Sequence, residues 1–148
     1  IEVAGTKRAL KLCPINQDLC IAAFLILGDT ELTVNCAAAL LERAPKYDFL
    51  LTAEAKSIPL VQEMARQNGD AHYIVARKGR GKRILIVDDV ISTGRSLQAL
   101  EEIAAAAGAD VVGKMAVLAE GDAASRTDIS YLEKLPLFNA KGEPLPFD

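Results

Sequence analysis

Residues 83–96 read RILIVDDVISTGRS, and this stretch decides what the chain can fold into. The four apolar residues ILIV are typical of a buried strand in a sheet that is covered on both faces. Asp88 and Asp89 follow them directly, and then come hydroxyl residues around Gly94. Because neighbouring carboxylates repel each other and need water or a cation, we expect the pair at the open end of this strand.

Strands and helices alternate outward from this stretch, which predicts an α/β fold with a largely parallel sheet flanked by helices. The tail from Pro136 onward is predicted as irregular surface chain because it contains Pro144 and Pro146. Apolar periodicity and turn residues predict strands at 48–52, 72–76, 84–87 and 111–118, and helices at 35–44, 58–67 and 96–107.

One connection does not suit a parallel sheet. Only the seven residues RKGRGKR, 77–83, separate the second predicted strand from the third. A parallel crossover needs about a dozen residues or more. Either the two strands form a hairpin, or a segment is absent between Lys78 and Lys82.

Composition limits the function classes. The 148 residues are 51% hydrophobic and 5% aromatic, enough for one domain with an aliphatic core. A net charge of −3 favours neither a nucleic-acid partner nor a basic membrane-binding surface. The three cysteines lack metal-site spacing, and the apolar stretch 19–27 is too short to span a bilayer. We therefore expect a cytoplasmic protein with reduced thiols.

The residues around the aspartate pair suit a sugar phosphate. Ligands of open α/β sheets bind beyond the carboxyl ends of the strands. Residues 92–96 lead into a helix, whose free N–H groups and dipole favour a phosphate monoester. Paired carboxylates suit a sugar diol, or Mg²⁺ through water. A ligand that carries both a diol and a phosphate monoester is ribose 5-phosphate.

Two other interpretations of the aspartate pair stay open at this point. Asp88 and Asp89 could form an ordinary strand-end turn with a helix cap behind it. A phospho-receiver domain also carries an acidic pair at a strand end. That pair normally follows the first strand, whereas here it lies past the middle of the chain.

The segment ILIVDDVISTGRS, 84–96, resembles the signature of type I phosphoribosyltransferases. The resemblance implies a parallel sheet with a small N-terminal hood, phosphoribosyl pyrophosphate as substrate and Mg²⁺ as cofactor. It implies that Asp88 and Asp89 are the catalytic pair that holds the ribose hydroxyls, with either one contributing to the metal site. The 5-phosphate would be held by Ser92, Thr93, Gly94, Arg95 and Ser96. A single domain is expected over 1–148, with a hood at about 1–35, a core at about 36–120 and a C-terminal segment at 121–148.

The same resemblance implies where pyrophosphate binds. The expected residues follow the first and second core strands, namely Ala55, Lys56, Ser57, Arg77 and Lys78. Ser57 and Arg95 stand where the family often has glycine. The family carries a long mobile loop between the second and third strands, and this loop is almost missing here.

LLTAEAKSIPL, 50–60, and YIVARK, 73–78, are most similar to purine members of the family, particularly adenine and xanthine phosphoribosyltransferases and the purine operon repressor. We expect a homodimeric enzyme of purine salvage that transfers phosphoribosyl to a purine, adenine being favoured, and releases pyrophosphate. Alternatives are a xanthine phosphoribosyltransferase and a non-catalytic regulator that senses phosphoribosyl pyrophosphate. Phe24 and Glu120 are candidate base-binding residues. Without a role in base binding, Phe24 would be a core residue and Glu120 a solvated surface charge.

Overall fold

The computed structural model describes residues 1–53, 55–75 and 82–147. The N-terminal part, up to residue 41, contains β1 (Glu2–Val3), β2 (Thr6–Lys7), β3 (Lys11–Pro14), β4 (Leu19–Ala23) and α1 (Thr30–Leu41). The remainder contains β5 (Phe49–Thr52), α2 (Ile58–Asn68), β6 (Ile74–Val75), β7 (Arg83–Ile91), α3 (Arg95–Ala106), β8 (Asp110–Glu120), a 3₁₀ turn (Gly121–Ser125), β9 (Ser130–Leu135) and β10 (Phe138–Asn139).

The central sheet has five strands in the order β6-β5-β7-β8-β9, and every neighbouring pair is parallel. This arrangement confirms the predicted α/β fold. β7 lies in the middle of the sheet, and its residues Ile84–Val87 are at most 2% exposed. The run ILIV is continuous because both faces of a central parallel strand are covered.

Side chains of β7 alternate between two apolar cores. Leu85 and Val87 belong to the core that also contains residues of α1 and α2. Ile84 and Ile86 belong to the core that also contains residues of α3. The helices therefore cover both faces of the sheet, as expected for strands joined by helical crossovers.

Both ends of the chain build the small sheet that accompanies the core. β3 and β4 form an antiparallel hairpin, and β10 adds to the free edge of β4. The prediction of irregular chain after Pro136 is therefore wrong for β10. β9, which the sequence did not predict, is the fifth strand of the central sheet. The division into hood, core and C-terminal segment stays a prediction.

The structure also decides between the two explanations of the short connection before β7. β6 and β7 lie on opposite sides of β5, and both are parallel to it. The hairpin alternative is therefore wrong. Most of the segment on which the missing-loop prediction falls, 76–81, lies outside the described residues.

α1 begins at Thr30, five residues before the predicted start, because Asp29 caps it. The Asp29 carboxylate accepts the N–H of Leu32 at 3.1 Å. It also accepts two hydrogen bonds from the Arg8 guanidinium, at 2.6 and 3.0 Å, which together with the cap lower the pKa of Asp29. This ion pair ties the chain that follows β2 to the start of α1. No helix among the described residues is long and apolar enough to cross a membrane.

Replacing Asp29 by Ala should lower the free energy of unfolding by about 1–2 kcal/mol, because α1 loses its cap. Glu31→Ala is the matched control, since Glu31 is 69% exposed and contacts the same Arg8 at 2.8 Å. We expect the control to change stability by less than about 0.5 kcal/mol. Urea denaturation measures both values, and equal effects of the two substitutions would contradict the assignment of the cap.

Candidate active site

The two aspartates lie within β7 but beyond the end of its neighbour β5. Pairing between β5 and β7 stops at Leu51 and Ile86, whereas pairing between β7 and β8 continues to Ile91 and Ala119. β7 therefore extends four residues further than the predicted strand, and Asp88 and Asp89 stand at the open carboxyl edge of the sheet. This is the position at which α/β sheets bind ligands.

A cleft of about 560 Å³ opens at this edge, between the carboxyl ends of the central strands and the chain at the end of β4. It brings together most of the predicted site residues. Its lining consists of Ile21, Ala22, Ala23, Phe24, Leu25, Ala53, Ala55, Lys56, Ser57, Asp88, Asp89, Val90, Ser92, Ser96, Glu120 and Leu135. Arg77 and Lys78 lie outside the described residues.

The loop 92–96 encloses a smaller recess of about 110 Å³, which also contains Asp88. Thr93, Gly94 and Arg95 line this recess and not the larger cleft. Gly94 precedes α3 with φ +77°, a conformation that favours glycine. No side chain in the described part of the chain caps α3, so its first N–H groups are available for an anion.

Arg126 approaches this loop from outside the recess, and no sequence pattern indicated this contact. A Cβ atom at Gly94 would lie 2.7 Å from Nη1 of Arg126. The other two nitrogens of the guanidinium donate to Asp128 at 2.9 and 2.7 Å. Gly94 is thus required by its backbone conformation, whereas a Cβ there would only displace the end of the Arg126 side chain. Arg126 stands thirty-two positions after Gly94, so only the folded chain joins them.

Ser57 connects the loop before α2 to the aspartates. It stands at the N-cap of α2 but makes no capping hydrogen bond there. Its hydroxyl instead donates to Oδ1 of Asp88 at 2.7 Å and accepts the backbone N–H of Asp89 at 3.1 Å. The side chain is buried, with an exposed fraction of 2%. The serine that departs from the family's glycine therefore holds the aspartate pair to the start of α2.

Asp89 is buried, and this changes its protonation. Burial, followed by the negative charge of Asp88, raises the pKa of Asp89 to about 6, while Lys56 opposes the rise. The backbone N–H of Asp89 also donates to Oδ1 of Asp88 at 2.9 Å. The pair is therefore held close together, and one carboxyl group ionises with difficulty.

Glu120 and Phe24 both line the cleft. Glu120 ends β8 with an exposed fraction of 8%, so the solvated alternative is wrong. Burial raises its pKa, and the Ser92 hydroxyl, as a hydrogen-bond donor, partly offsets this effect. Phe24 packs in the core shared with α1 and α2 while also lining the cleft. Its core and base-binding interpretations are therefore compatible.

No group of three or more His, Cys, Asp or Glu residues within the described ranges could hold a metal ion. Two adjacent carboxylates are nevertheless suitable partners for Mg²⁺ or for its bound waters. A magnesium ion at Asp88 and Asp89 would need most of its ligands from a substrate and from water.

A family model described as "Phosphoribosyl transferase domain" matches residues 49–141, from β5 past β10. This match covers more than half of the chain. The chain belongs to this family. The matched region contains the aspartate pair, the loops 55–57 and 92–96, and Glu120.

Curated relatives differ in the base they name. Orotate phosphoribosyltransferase of Staphylococcus saprophyticus is 28% identical over 109 residues, covering 72% of this chain and 51% of the relative. Hypoxanthine/guanine phosphoribosyltransferase of Methanococcus voltae is 30% identical over 106 residues, covering 53% of this chain and 56% of the relative. The chain spans about half the length of the curated relatives it matches.

A solved structure shares the fold at low sequence identity. Adenine phosphoribosyltransferase from Thermoanaerobacter pseudethanolicus is 15% identical, with a TM-score of 0.64, covering 84% of this chain and 95% of that one. The likeness at this identity shows the fold alone.

Asp89 should make stability depend on pH. Because its pKa is raised to about 6 in the folded chain, against about 3.9 when unfolded, its favourable contribution is full below pH 4 and is lost as the pH rises through 6. Asp89→Asn removes this loss. We expect the variant to gain roughly 2 kcal/mol over the wild type between pH 4 and pH 7.

Denaturant unfolding at several pH values measures this difference. Comparing variant with wild type cancels the opposite trend of carboxylates with lowered pKa, such as Glu63. Asp18→Asn, at an exposed position, is the matched control for the loss of one carboxylate. A difference between Asp89→Asn and wild type that does not change with pH would contradict the raised pKa of Asp89.

Proposed function

We propose that the protein is a purine phosphoribosyltransferase, adenine being favoured. It transfers the 5-phosphoribosyl group of phosphoribosyl pyrophosphate to the base and releases pyrophosphate. One observation carries the proposal: the aspartates of β7, the loop before α2 and the loop before α3 meet at a single cleft beside the hood strand. Carboxylates, a lysine and free helical N–H groups suit the diol, the pyrophosphate and the phosphate of this one substrate.

The recess formed by 92–96 takes the 5-phosphate, because the N–H groups of α3 and the hydroxyls of the loop point to an anion there. Asp88 and Asp89 accept hydrogen bonds from the ribose hydroxyls. Ala55, Lys56 and Ser57 take the pyrophosphate, where Lys56 supplies positive charge. Arg77 and Lys78 stay predicted partners of the same group.

Catalysis in this proposal rests on position and charge. Departure of pyrophosphate leaves positive charge on the anomeric carbon and the ring oxygen, and nearby carboxylates stabilise it. Holding both substrates in one cleft replaces an encounter in solution by a reaction at fixed geometry. Mg²⁺, held mainly by the substrate with Asp88 or Asp89, would supply charge to the leaving pyrophosphate.

The lining of the cleft supports a purine over orotate. Phe24, Leu25, Val90 and Leu135 offer apolar surface for a ring, and Glu120 is the charged group beside Ser92. Orotate carries a carboxylate, which Glu120 would repel. Lys56 acts on Asp89, and so lies at the aspartate end of the cleft. Ring N–H and amino groups of a purine could instead donate to Glu120.

One observation favours the second candidate, a regulator that senses phosphoribosyl pyrophosphate without transfer. The Ser57 hydroxyl occupies hydrogen-bonding capacity of Asp88 that a substrate would otherwise use. A xanthine phosphoribosyltransferase is the third candidate. Assembly as a homodimer stays a prediction, which light scattering coupled to gel filtration measures directly.

Pyrophosphate release distinguishes these candidates. The protein is incubated with phosphoribosyl pyrophosphate, Mg²⁺ and one of adenine, hypoxanthine, guanine, xanthine, uracil or orotate. We expect release with a purine, and fastest release with adenine. Binding of phosphoribosyl pyrophosphate without release for any base would support the regulator. Release with orotate alone would contradict the purine assignment.

Asp88→Asn should reduce kcat/KM by about 100-fold or more, because the ribose loses a charged partner as positive charge develops. The free energy of unfolding should change by less than about 1 kcal/mol, since an amide oxygen can still accept the hydrogen bond of Ser57. Asp110→Asn, at an exposed position, is the matched control. Wild-type turnover of Asp88→Asn would contradict the site assignment.

A further inference from the structure

Ser57 joins two parts of the site that are distant in the chain. Its hydroxyl oxygen lies 2.7 Å from Oδ1 of Asp88, 3.4 Å from Oδ1 of Asp89 and 3.1 Å from the backbone nitrogen of Asp89. In the described part of the chain, these are the hydrogen bonds that connect residues 55–57 to β7. The loop 55–57 is therefore tied to the aspartate pair through one side chain.

The backbone of Ser57 is held by the helix that follows it. Its carbonyl oxygen accepts the N–H of Val61 at 3.0 Å, and the residue is 2% exposed. α2 is itself packed into the apolar core through its buried face. The two preceding residues, Ala55 and Lys56, are exposed. Ser57 is thus the buried end of a loop whose other residues face the solvent.

The same hydrogen bonds orient Asp88. Its Oδ1 accepts the Ser57 hydroxyl at 2.7 Å and the N–H of Asp89 at 2.9 Å. Two donors on one oxygen restrict rotation of the carboxylate, whose other oxygen, Oδ2, accepts no hydrogen bond within the ranges 1–53, 55–75 and 82–147. Asp88 lines both the cleft and the smaller recess. Oδ2 is therefore the oxygen that remains available to a ribose hydroxyl.

We propose that Ser57 is a positioning residue that couples the two ends of the phosphoribosyl pyrophosphate site. The proposal rests on the function proposed above. An anion bound to the loop 55–57 fixes Ser57, and through it the carboxylate of Asp88. A ribose diol bound to Asp88 in turn fixes the loop. Because each ligand orders a group that the other ligand needs in place, each raises the affinity for the other by the same factor.

The hydroxyl can be removed without leaving a buried donor unpaired. In Ser57→Ala the N–H of Asp89 keeps Oδ1 of Asp88 as its acceptor, at 2.9 Å in the wild type. Glycine, which the family often has at this position, also lacks the hydroxyl. We therefore expect Ser57→Ala and Ser57→Gly to fold, but without a hydrogen bond between the loop and β7.

Isothermal titration calorimetry in the presence of Mg²⁺ measures the coupling directly. Pyrophosphate is titrated into the protein alone and into protein saturated with 1,4-anhydroribitol 5-phosphate. This sugar phosphate carries the diol and the phosphate but no oxygen on the anomeric carbon, so it leaves room for pyrophosphate. We expect it to lower the Kd of pyrophosphate by about fivefold or more in the wild type, and by less than about twofold in Ser57→Ala.

Thr52→Val is the matched control. Thr52 lies at the other end of the connection between β5 and α2 and is fully buried, and its hydroxyl has no hydrogen-bond partner among the described residues. This substitution also removes a buried hydroxyl, but one that touches neither aspartate through a hydrogen bond. We expect Thr52→Val to leave both the coupling and kcat unchanged.

Steady-state kinetics provide a second measurement. Ser57→Ala should lower kcat by about tenfold, because Asp88 is no longer oriented when positive charge develops on the ribose. The KM for the purine should change by less than about threefold, since no hydrogen bond joins Ser57 to the candidate base-binding residues Phe24 and Glu120 in the described chain. A general loss of structure would change both constants, and thermal unfolding establishes that each variant is folded.

The possible outcomes separate this inference from the proposed function. Wild-type protein that binds neither pyrophosphate nor the sugar phosphate overturns both. Binding of each ligand without coupling in the wild type overturns only the positioning role, as does coupling of equal size in wild type and Ser57→Ala, which would assign it to the shared Mg²⁺. Coupling that persists in Thr52→Val and is lost in Ser57→Ala supports the role. If Ser57→Ala does not fold, Ser57→Gly decides the question by the same criteria.

Discussion

The structure depends on placing two adjacent carboxylates at the end of a strand that is otherwise buried. β7 holds the centre of the parallel sheet through Ile84–Val87, and its next two residues are Asp88 and Asp89. Burial of Asp89 beside the charge of Asp88 disfavours ionisation, and a single hydroxyl compensates part of the cost. Ser57 provides it, with hydrogen bonds of 2.7 Å to Asp88 and 3.1 Å to the N–H of Asp89.

This constraint organises the rest of the site. Because β5 ends before the aspartates, the N-terminus of α2 can approach them with Ser57, while β8 continues beside them and presents Glu120. The loop that leaves β7 turns through Gly94 into α3, with Arg126 packed against it. The site therefore consists of strand ends and helix starts that a rigid sheet positions, with chain from both termini forming the small sheet beside it.

Sequence patterns predicted the parts of the fold that repeat locally. The run ILIV and the alternation of strands with helices were sufficient for the α/β fold. The residues Asp88 to Ser96 meet at the candidate site, and their roles there stay predictions. Sequence patterns did not predict the elements whose apolar pattern is weak or whose contacts are distant in the chain. β9 and β10 have mixed, half-exposed patterns, so no periodicity marked them as strands. The start of α1 was misplaced because apolar periodicity does not register a polar cap such as Asp29, whose carboxylate accepts the N–H of Leu32.

The sequence by itself determined which chemical groups stand at the end of β7, because the strand, the two aspartates and the loop 92–96 are consecutive in the chain. Only the tertiary structure decided which groups face them. Ser57 lies thirty-one residues from Asp88, and Glu120 lies twenty-eight residues from Ser92. Parallel crossovers bring such distant strand ends to one edge, since each crossover returns the chain to the same side of the sheet. Burial at that edge then sets the protonation of Asp89 and Glu120, a property that no local pattern encodes.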